Sequence, residues 1–168
     1  MAETTLTNTP DVLGDDIIAI MAGTTDNKMP TTFTGAIYIQ ECVNKMPQFF
    51  PERDTQDYKV LASKQSRSIM GSRASMDGSI SAYYTKMLLD AHNKMVEFQK
   101  GEAGCFWLIW YIESEDRTVA VRATCDDKIK TPEDESGTLN LKEIPISNID
   151  EAIEVAGKPE NFGVAVGG

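Results

Sequence analysis

The sequence has little of the material from which most enzyme active sites are built. It contains one histidine, His92, and three cysteines, Cys42, Cys105 and Cys125. No two cysteines have the close spacing of a C-x-x-C motif, and one histidine cannot supply the several nitrogen ligands that a zinc site gathers. The phosphate-binding patterns G-x-x-x-x-G-K-[ST] and G-x-G-x-x-G do not occur. We therefore expect no enzyme activity, no metal site and no cofactor.

The histidine and the cysteines also have ordinary structural interpretations. His92 falls within a predicted helix, on the flank of its apolar side, and is interpreted as a surface histidine; a Cys–His nucleophile pair would require the fold to bring a cysteine beside it. Three cysteines cannot all pair within one chain, and Cys105 and Cys125 lie in apolar or alternating stretches. We interpret all three as free structural thiols of a protein made in a reducing cytoplasm.

Long hydrophobic runs are absent as well. The longest uninterrupted apolar run, Phe106–Ile112, is far shorter than the about 20 residues of a membrane-spanning helix. The first eight residues contain neither the basic region nor the apolar region of a secretory signal peptide. We expect neither a membrane-spanning segment nor secretion by a signal peptide.

Positive charge is scarce overall. The net charge is −10, from 26 acidic and 16 basic side chains. A protein that grips nucleic acid through its phosphates needs a basic surface, so this composition argues against that function. The acidic clusters at Asp126-Asp127 and at residues 133–135 could suggest a calcium loop. They lack the alternating spacing of oxygen ligands that such loops use, which favours solvated turns.

One stretch departs from this acidic balance. Residues 58–76 contain four basic side chains and no acidic one: Lys59, Lys64, Arg67 and Arg73. A solvated loop is one interpretation. The alternative is that these four residues contact acidic surface in the C-terminal third of an adjacent copy and fix its orientation.

Hydrophobic periodicity predicts several strands. The segments with alternating or β-type composition are residues 15–22, 33–43, 74–84, 106–112, 118–125 and 138–147. For residues 33–43 a short helix is the alternative. A change in the phase of the apolar residues within the last segment predicts a bulge near Pro145. The segment 106–112 is apolar on both faces, which is typical of a central, buried strand.

A single helix is predicted between the third and fourth of these strands. Thr85 is the N-cap candidate, and Lys100 followed by Gly101 ends the helix. The apolar positions recur at helical spacing: Met87, Leu88, Ala91, Met95 and Phe98. We expect this core helix to pack on the strand 106–112.

Together these elements predict an α+β, mainly-β domain that spans residues 1–168. The expected form is a two-sheet sandwich flanked by one α-helix, with a β core at residues 15–148. Residues 44–67 are expected to be a long projecting loop, and residues 1–14 and 149–168 extended N- and C-terminal arms.

The order of parts over residues 14–148 resembles the major tail proteins, the tail-tube subunits, of long-tailed, non-contractile bacteriophages. The resemblance rests on the Gly-Asp-Asp-Ile-Ile-Ala-Ile strand after a polar leader and on the long loop before Ile69-Met-Gly-Ser-Arg. It continues through Gly-Ser-Ile-Ser-Ala-Tyr-Tyr, the helix, the aromatic strand at 105–112 and the Leu-Asn-Leu-Lys-Glu-Ile-Pro-Ile strand that starts at Leu139. These stretches match the family in architecture.

The resemblance implies a structural virion protein without catalytic residues. Copies of the chain would form homo-hexameric rings that stack into a tail tube for genome delivery, with other tail proteins at the tube ends. DNA would pass through the acidic channel without specific binding. The location implied is the virion tail, after assembly in the host bacterial cytoplasm. The same architecture occurs in the tubes of contractile phages, phage-like bacteriocins and type VI secretion, so these remain alternatives.

A stand-alone β-sandwich binding module is the alternative from a different class. Such a module would present a cluster of exposed aromatic side chains. Here Trp107, Trp110 and Tyr111 fall in the strand predicted to be most buried, which disfavours that alternative.

Overall fold

The computed structural model describes residues 15–62, 65–73, 76–129 and 141–163. Within these ranges there are ten strands, one α-helix and one 3-10 turn at Glu113–Glu115. The regular elements are β1 (Ile17–Ala22), β2 (Ile37–Tyr38), β3 (Val43–Lys45), β4 (Arg53–Tyr58), β5 (Arg67–Arg73), β6 (Asp77–Tyr83), α1 (Lys86–Gln99), β7 (Phe106–Ile112), β8 (Arg117–Cys125), β9 (Leu141–Asn148) and β10 (Ile153–Ala156).

Eight of the strands form one antiparallel sheet. Its order is β2-β1-β7-β8-β9-β6-β3, and β10 pairs with β8 beside this path. The other two strands, β4 and β5, form a separate two-stranded sheet. The mainly-β fold class with two sheets and one helix is therefore confirmed.

The pairing within the large sheet is short where β8 meets β9. The strand β8 pairs with β7 along Arg117 to Ala123, but with β9 only at Ala123, Thr124 and Cys125. The strand β10 occupies the remainder of that edge of β8, from Arg117 to Ala120. Inward side chains from β6 and β9 belong to the same apolar cluster as those from β1, β7 and β8. The two halves of the sheet therefore enclose a common core.

The helix α1 covers this core. Its N-cap is Thr85, whose hydroxyl oxygen accepts a hydrogen bond from the Leu88 amide, and its C-cap is Lys100. Leu88, Ala91 and Met95 are fully buried, while Met87 and Phe98 are half-buried against the same cluster. The helix lies over β1, β7 and β8, so the strand 106–112 is one of three that it contacts.

The strand β7 is buried on both faces, as its unbroken apolar sequence predicted. It lies between β1 and β8. Phe106 and Leu108 contribute to the helix-side core, while Trp107 and Ile109 face a second apolar cluster. That second cluster is covered by Phe33 and by Phe162, whose rings lie 5.0 Å apart.

Two expectations for the first half of the chain were wrong. Residues 33–43 do not form one strand, because Gly35 adopts a left-handed backbone (φ +81°) and a further turn at residues 40–42 separates β2 from β3. Residues 44–67 are not a structureless loop, since they include β4 and the first residue of β5. All six residues of β4 are exposed, so this strand has no apolar alternation to detect.

Two expectations near the C-terminus were also wrong. Pairing between β6 and β9 is continuous, and Pro145 lies opposite Ser79 without a bulge. The alternation of apolar residues in β9 is interrupted because Lys142 occupies an inward-facing position. The aliphatic part of its side chain is buried, and its ammonium lies 5.2 Å from the centre of the Tyr84 ring. Residues 149–163 are not a free arm, because they supply β10 and the buried Phe162. The N-terminal arm at 1–14 lies outside the described residues.

Candidate assembly surface

The β4–β5 hairpin is the most exposed regular element of the described chain. Its strands pair from Arg53↔Arg73 to Tyr58↔Arg67. Its exposed large apolar residues are Tyr58, Leu61, Ile69 and Met70. An isolated two-stranded hairpin is marginally stable in water at best. Packing against another surface would therefore stabilise a hairpin that is exposed on both faces.

The register assigns these apolar side chains to two different faces. Met70 pairs with Thr55, whereas Ile69 pairs with Gln56, and successive residues of a strand point to opposite faces. Met70 is 70% exposed and Ile69 51% exposed. Each face of the hairpin therefore carries at least one apolar side chain that the described residues leave largely exposed.

The structure separates the four predicted contact residues. Lys59 and Arg67 are exposed near the far end of the hairpin, where Arg67 lies opposite Tyr58. Lys64 lies outside the described residues. Arg73 is different, because its side chain is 29% exposed and already bound within the chain.

Arg73 is the centre of a polar contact at the base of the hairpin. Its Nε donates to Glu151 Oε1 at 2.9 Å, and its Nη1 donates to the Pro51 carbonyl at 3.1 Å. Its guanidinium also lies 5.5 Å from the centre of the Phe50 ring, a cation–π distance. Arg53, directly opposite, approaches Glu151 to 3.8 Å. The Glu151 carboxylate thus interacts with both Arg53 and Arg73.

Glu151 belongs to residues 148–151, the last residue of β9 and the three that follow it, which we call the junction. Asn148 accepts a hydrogen bond from the Met76 amide at 2.8 Å and donates to the Asp150 carbonyl at 2.7 Å. Asp150 pairs with Arg122 of β8, and the Ile149 amide donates to the Arg122 carbonyl at 3.0 Å. The junction therefore joins the hairpin base to the large sheet.

A groove of about 660 Å³ lies between the hairpin and the junction. Met70 and Gln56 of the hairpin and Ile149 of the junction line it, together with Arg53, Arg73 and Glu151. Met70 and Ile149 are both exposed. The groove is therefore a mixed apolar and charged surface, open to solvent.

The buried polar groups elsewhere are used by the fold. Trp107 Nε1 donates to Thr24 Oγ1 at 2.9 Å, and Trp110 Nε1 donates to Asp16 Oδ2 at 2.8 Å. His92 is buried, not on the surface as expected, and its Nε2 lies 2.9 Å from the Asp126 carbonyl oxygen. This contact lies at the end of β8, because the flank of α1 that carries His92 faces that strand.

The three cysteines are free thiols. Burial is the largest cause that raises the pKa of Cys42 and of Cys105 above 9.0. Burial, with the nearby carboxylates of Asp126 and Asp127, raises the pKa of Cys125 to about 12. Raised thiol pKa values disfavour the thiolate, which is the nucleophilic form. Across the described residues, no group of three or more His, Cys, Asp or Glu side chains is placed to hold a metal ion.

Sequence reasoning found the basic stretch but not the junction. Asp150 and Glu151 were assigned to the C-terminal arm because that segment contains only a few apolar residues, Ile149, Ile153 and Phe162. The contacts of the junction reach Met76, Arg122 and Arg73, which are distant in sequence. No local pattern encodes such contacts. In the part of the chain that the structure describes, no helix is long and apolar enough to span a membrane.

No protein-family model matches the sequence, and no curated protein matches it. Solved structures do match the fold. A chain of the PVC sheath/tube terminator, from an extracellular contractile injection system, is 15% identical with a TM-score of 0.55, and the match covers 89% of this chain and 99% of that one. A chain of the PVC sheath-tube complex is 16% identical with a TM-score of 0.56, covering 89% and 93%.

A chain of the anti-feeding prophage tube-terminating cap is 10% identical with a TM-score of 0.56, covering 90% of this chain and 95% of that one. These three assemblies are structural tail components of contractile, phage-like machines. At such low identity the likeness concerns the fold alone. The chain therefore has a tail-tube-related fold that extends over nearly its whole length.

Proposed function

We propose that this chain is a structural subunit of a tail tube, which self-assembles into stacked hexameric rings of a phage-like particle. The tail-tube-related fold supports this function. The observation that carries it is the β4–β5 hairpin, which is exposed along the whole of β4 and bears apolar side chains on both faces. In a tube, a second copy would cover these side chains and stabilise the hairpin.

Charge supports an orientation for that contact. The hairpin end carries Lys59 and Arg67, whereas residues 113–168 hold 13 acidic and 6 basic side chains. Different surfaces of opposite charge favour a head-to-tail contact, and such contacts propagate into rings or filaments. An acidic tube would also let DNA pass without adhering to it, because phosphates and carboxylates repel each other.

The machine to which the tube belongs is a separate question. The sequence resembles tube subunits of non-contractile phages, while the three structural neighbours come from contractile systems. Two of those neighbours are a terminator and a cap, which favours a second candidate function at the end of a tube. A tube subunit should grow into long tubes, whereas a terminator should form single rings that bind tube ends.

Negative-stain electron microscopy of concentrated protein tests the proposal. The test variant replaces Lys59, Lys64 and Arg67 by Glu and retains Arg73, because Arg73 is bound to Glu151 within the chain. We expect it to remain folded and to lose tube growth, most clearly at low salt, where exposed charges are least screened.

The matched control replaces Lys86, Lys94 and Lys100 on the exposed side of α1 by Glu, so that its net charge changes equally. We expect it to form normal tubes. A wild-type protein that stays monomeric at high concentration contradicts the proposed function. A triple hairpin variant that forms tubes of normal length contradicts the role of the basic residues.

A further inference from the structure

The base of the hairpin contains an electrostatic conflict that Glu151 resolves. Arg53 and Arg73 lie directly opposite each other at the open end of the hairpin. Like charges at opposed positions of an antiparallel pair destabilise it. The Glu151 carboxylate lies 2.9 Å from Arg73 Nε and 3.8 Å from Arg53 Nη2, so it compensates both charges at once.

Among the described residues, the hairpin has few other attachments to the large sheet. Its two strands form a sheet of their own, and their dominant contacts are with each other. Near its base, Arg73 also contacts Pro51 and Phe50, which immediately precede β4. Within the described ranges, the contact with Glu151 therefore links Arg53 and Arg73 to a part of the chain that is distant in sequence.

Glu151 itself is held in place by its neighbours in the junction. Asp150 is paired with Arg122, whose side chain is only 11% exposed. Asn148 binds the Met76 amide, just after the hairpin, and the Asp150 carbonyl. Glu151 thus belongs to a segment that is held at two points. Asp150 binds β8 through Arg122, and Asn148 binds the Met76 amide just before β6.

We propose that the junction is the joint that sets the orientation of the hairpin, with Glu151 as the positioning residue. Glu151 holds the hairpin base against the large sheet, so that the exposed hairpin meets a second copy at a defined angle. The consequence for assembly rests on the proposed tube function; the orientation of the hairpin in the monomer does not.

Hydrogen–deuterium exchange of the monomer tests directly whether Glu151 holds the hairpin in place. In Glu151→Gln the arginines lose their counter-charge, and we expect peptides of β4 and β5 to exchange about 3- to 10-fold faster, the range expected from losing two exposed ion pairs. The matched control is Glu154→Gln, which removes a carboxylate paired with Arg117 at 3.2 Å, three residues further on. That control should leave exchange in the hairpin unchanged.

If exchange in β4 and β5 is unchanged in Glu151→Gln, Glu151 does not position the hairpin. The same conclusion follows if Glu154→Gln accelerates that exchange equally. Tube growth is then measured on the same two variants, where we expect slower growth for Glu151→Gln alone. Faster exchange with normal tube growth overturns the link to assembly. If the wild-type protein forms no tubes, the tube function fails, while the exchange measurement still decides whether Glu151 fixes the hairpin.

Discussion

Arg73 and Glu151 lie 78 positions apart in the sequence, and 2.9 Å separates Arg73 Nε from Glu151 Oε1. The basic stretch was predicted to meet acidic residues in the C-terminal third of an adjacent copy. One of its four members meets such a residue within its own chain. The charge complementarity is therefore partly intramolecular, and the contact with another copy remains a prediction for Lys59, Lys64 and Arg67.

The helix core gives the first prediction. Leu88 and Met95 are fully buried beneath α1, and an unpaired carboxylate there costs several kcal/mol or more. We expect Leu88→Asp and Met95→Asp to abolish folding, measured as loss of soluble protein and of the cooperative unfolding transition. Asn93→Asp, on the exposed side of the same helix, should fold normally. Stable, soluble Leu88→Asp protein would show that the helix is not part of the core.

The N-cap gives a smaller and more precise effect. The Thr85 hydroxyl accepts a hydrogen bond from the Leu88 amide at 3.3 Å. Thr85→Ala should lower the free energy of unfolding by about 1 kcal/mol, while Thr85→Ser, which retains the hydroxyl, should lose much less. Urea unfolding followed by circular dichroism measures this, with an unchanged slope indicating a pure stability change. Equal stability of the Ala and Ser variants would contradict the cap.

The two faces of the hairpin can be tested separately. Ile69→Thr and Met70→Gln each remove one exposed apolar side chain from a different face. Because both positions are exposed, the monomer's stability should change by no more than about 0.5 kcal/mol. At least one variant should assemble poorly, and the one that does identifies the face that is covered. Val155→Thr, at an exposed position of β10, is the control; normal assembly of both hairpin variants would refute the contact.

Cys125 gives a prediction about pH. With its pKa raised to about 12 from an ordinary value of 9.0, its thiolate fraction at pH 8 falls roughly a thousandfold. We expect iodoacetamide to modify Cys125 far more slowly in the folded protein than in urea, as measured by peptide mass spectrometry. Since burial and the nearby carboxylates disfavour the thiolate and place the folded pKa above the unfolded one, this group does not change the free energy of unfolding below about pH 9 and lowers it as the pH rises from 9 towards 12. Equal alkylation rates would show that the thiol is not protected.

The sequence predicted the elements in which the pattern of apolar residues matches the pattern of burial. The strand β7 is apolar on both faces and is buried on both, and the helix α1 has the predicted N-cap and inward residues Leu88 and Met95. In each case local periodicity and tertiary burial agree. Such elements can be recognised because their environment determines their residue types directly.

The elements that were missed are those held by backbone pairing or by distant contacts. The strand β4 is exposed throughout, and β10 pairs with β8 although three of its four residues are exposed. Lys142 occupies an inward position in β9, and the resulting change in apolar phase was interpreted as a bulge near Pro145. The junction depends on partners such as Arg122 and Met76, and their proximity follows from the folded sheet.

The narrow pairing between β8 and β9 has a mechanical consequence. Three residue pairs join these strands, whereas β6 and β9 share seven. A pull on the hairpin would load the backbone that continues into β6, and it would also pass through Glu151 and Asp150 to Arg122, and so into β8. This second route bypasses the narrow pairing altogether. Force from a neighbouring copy would thus have a route into β8 that does not load the three residue pairs between β8 and β9.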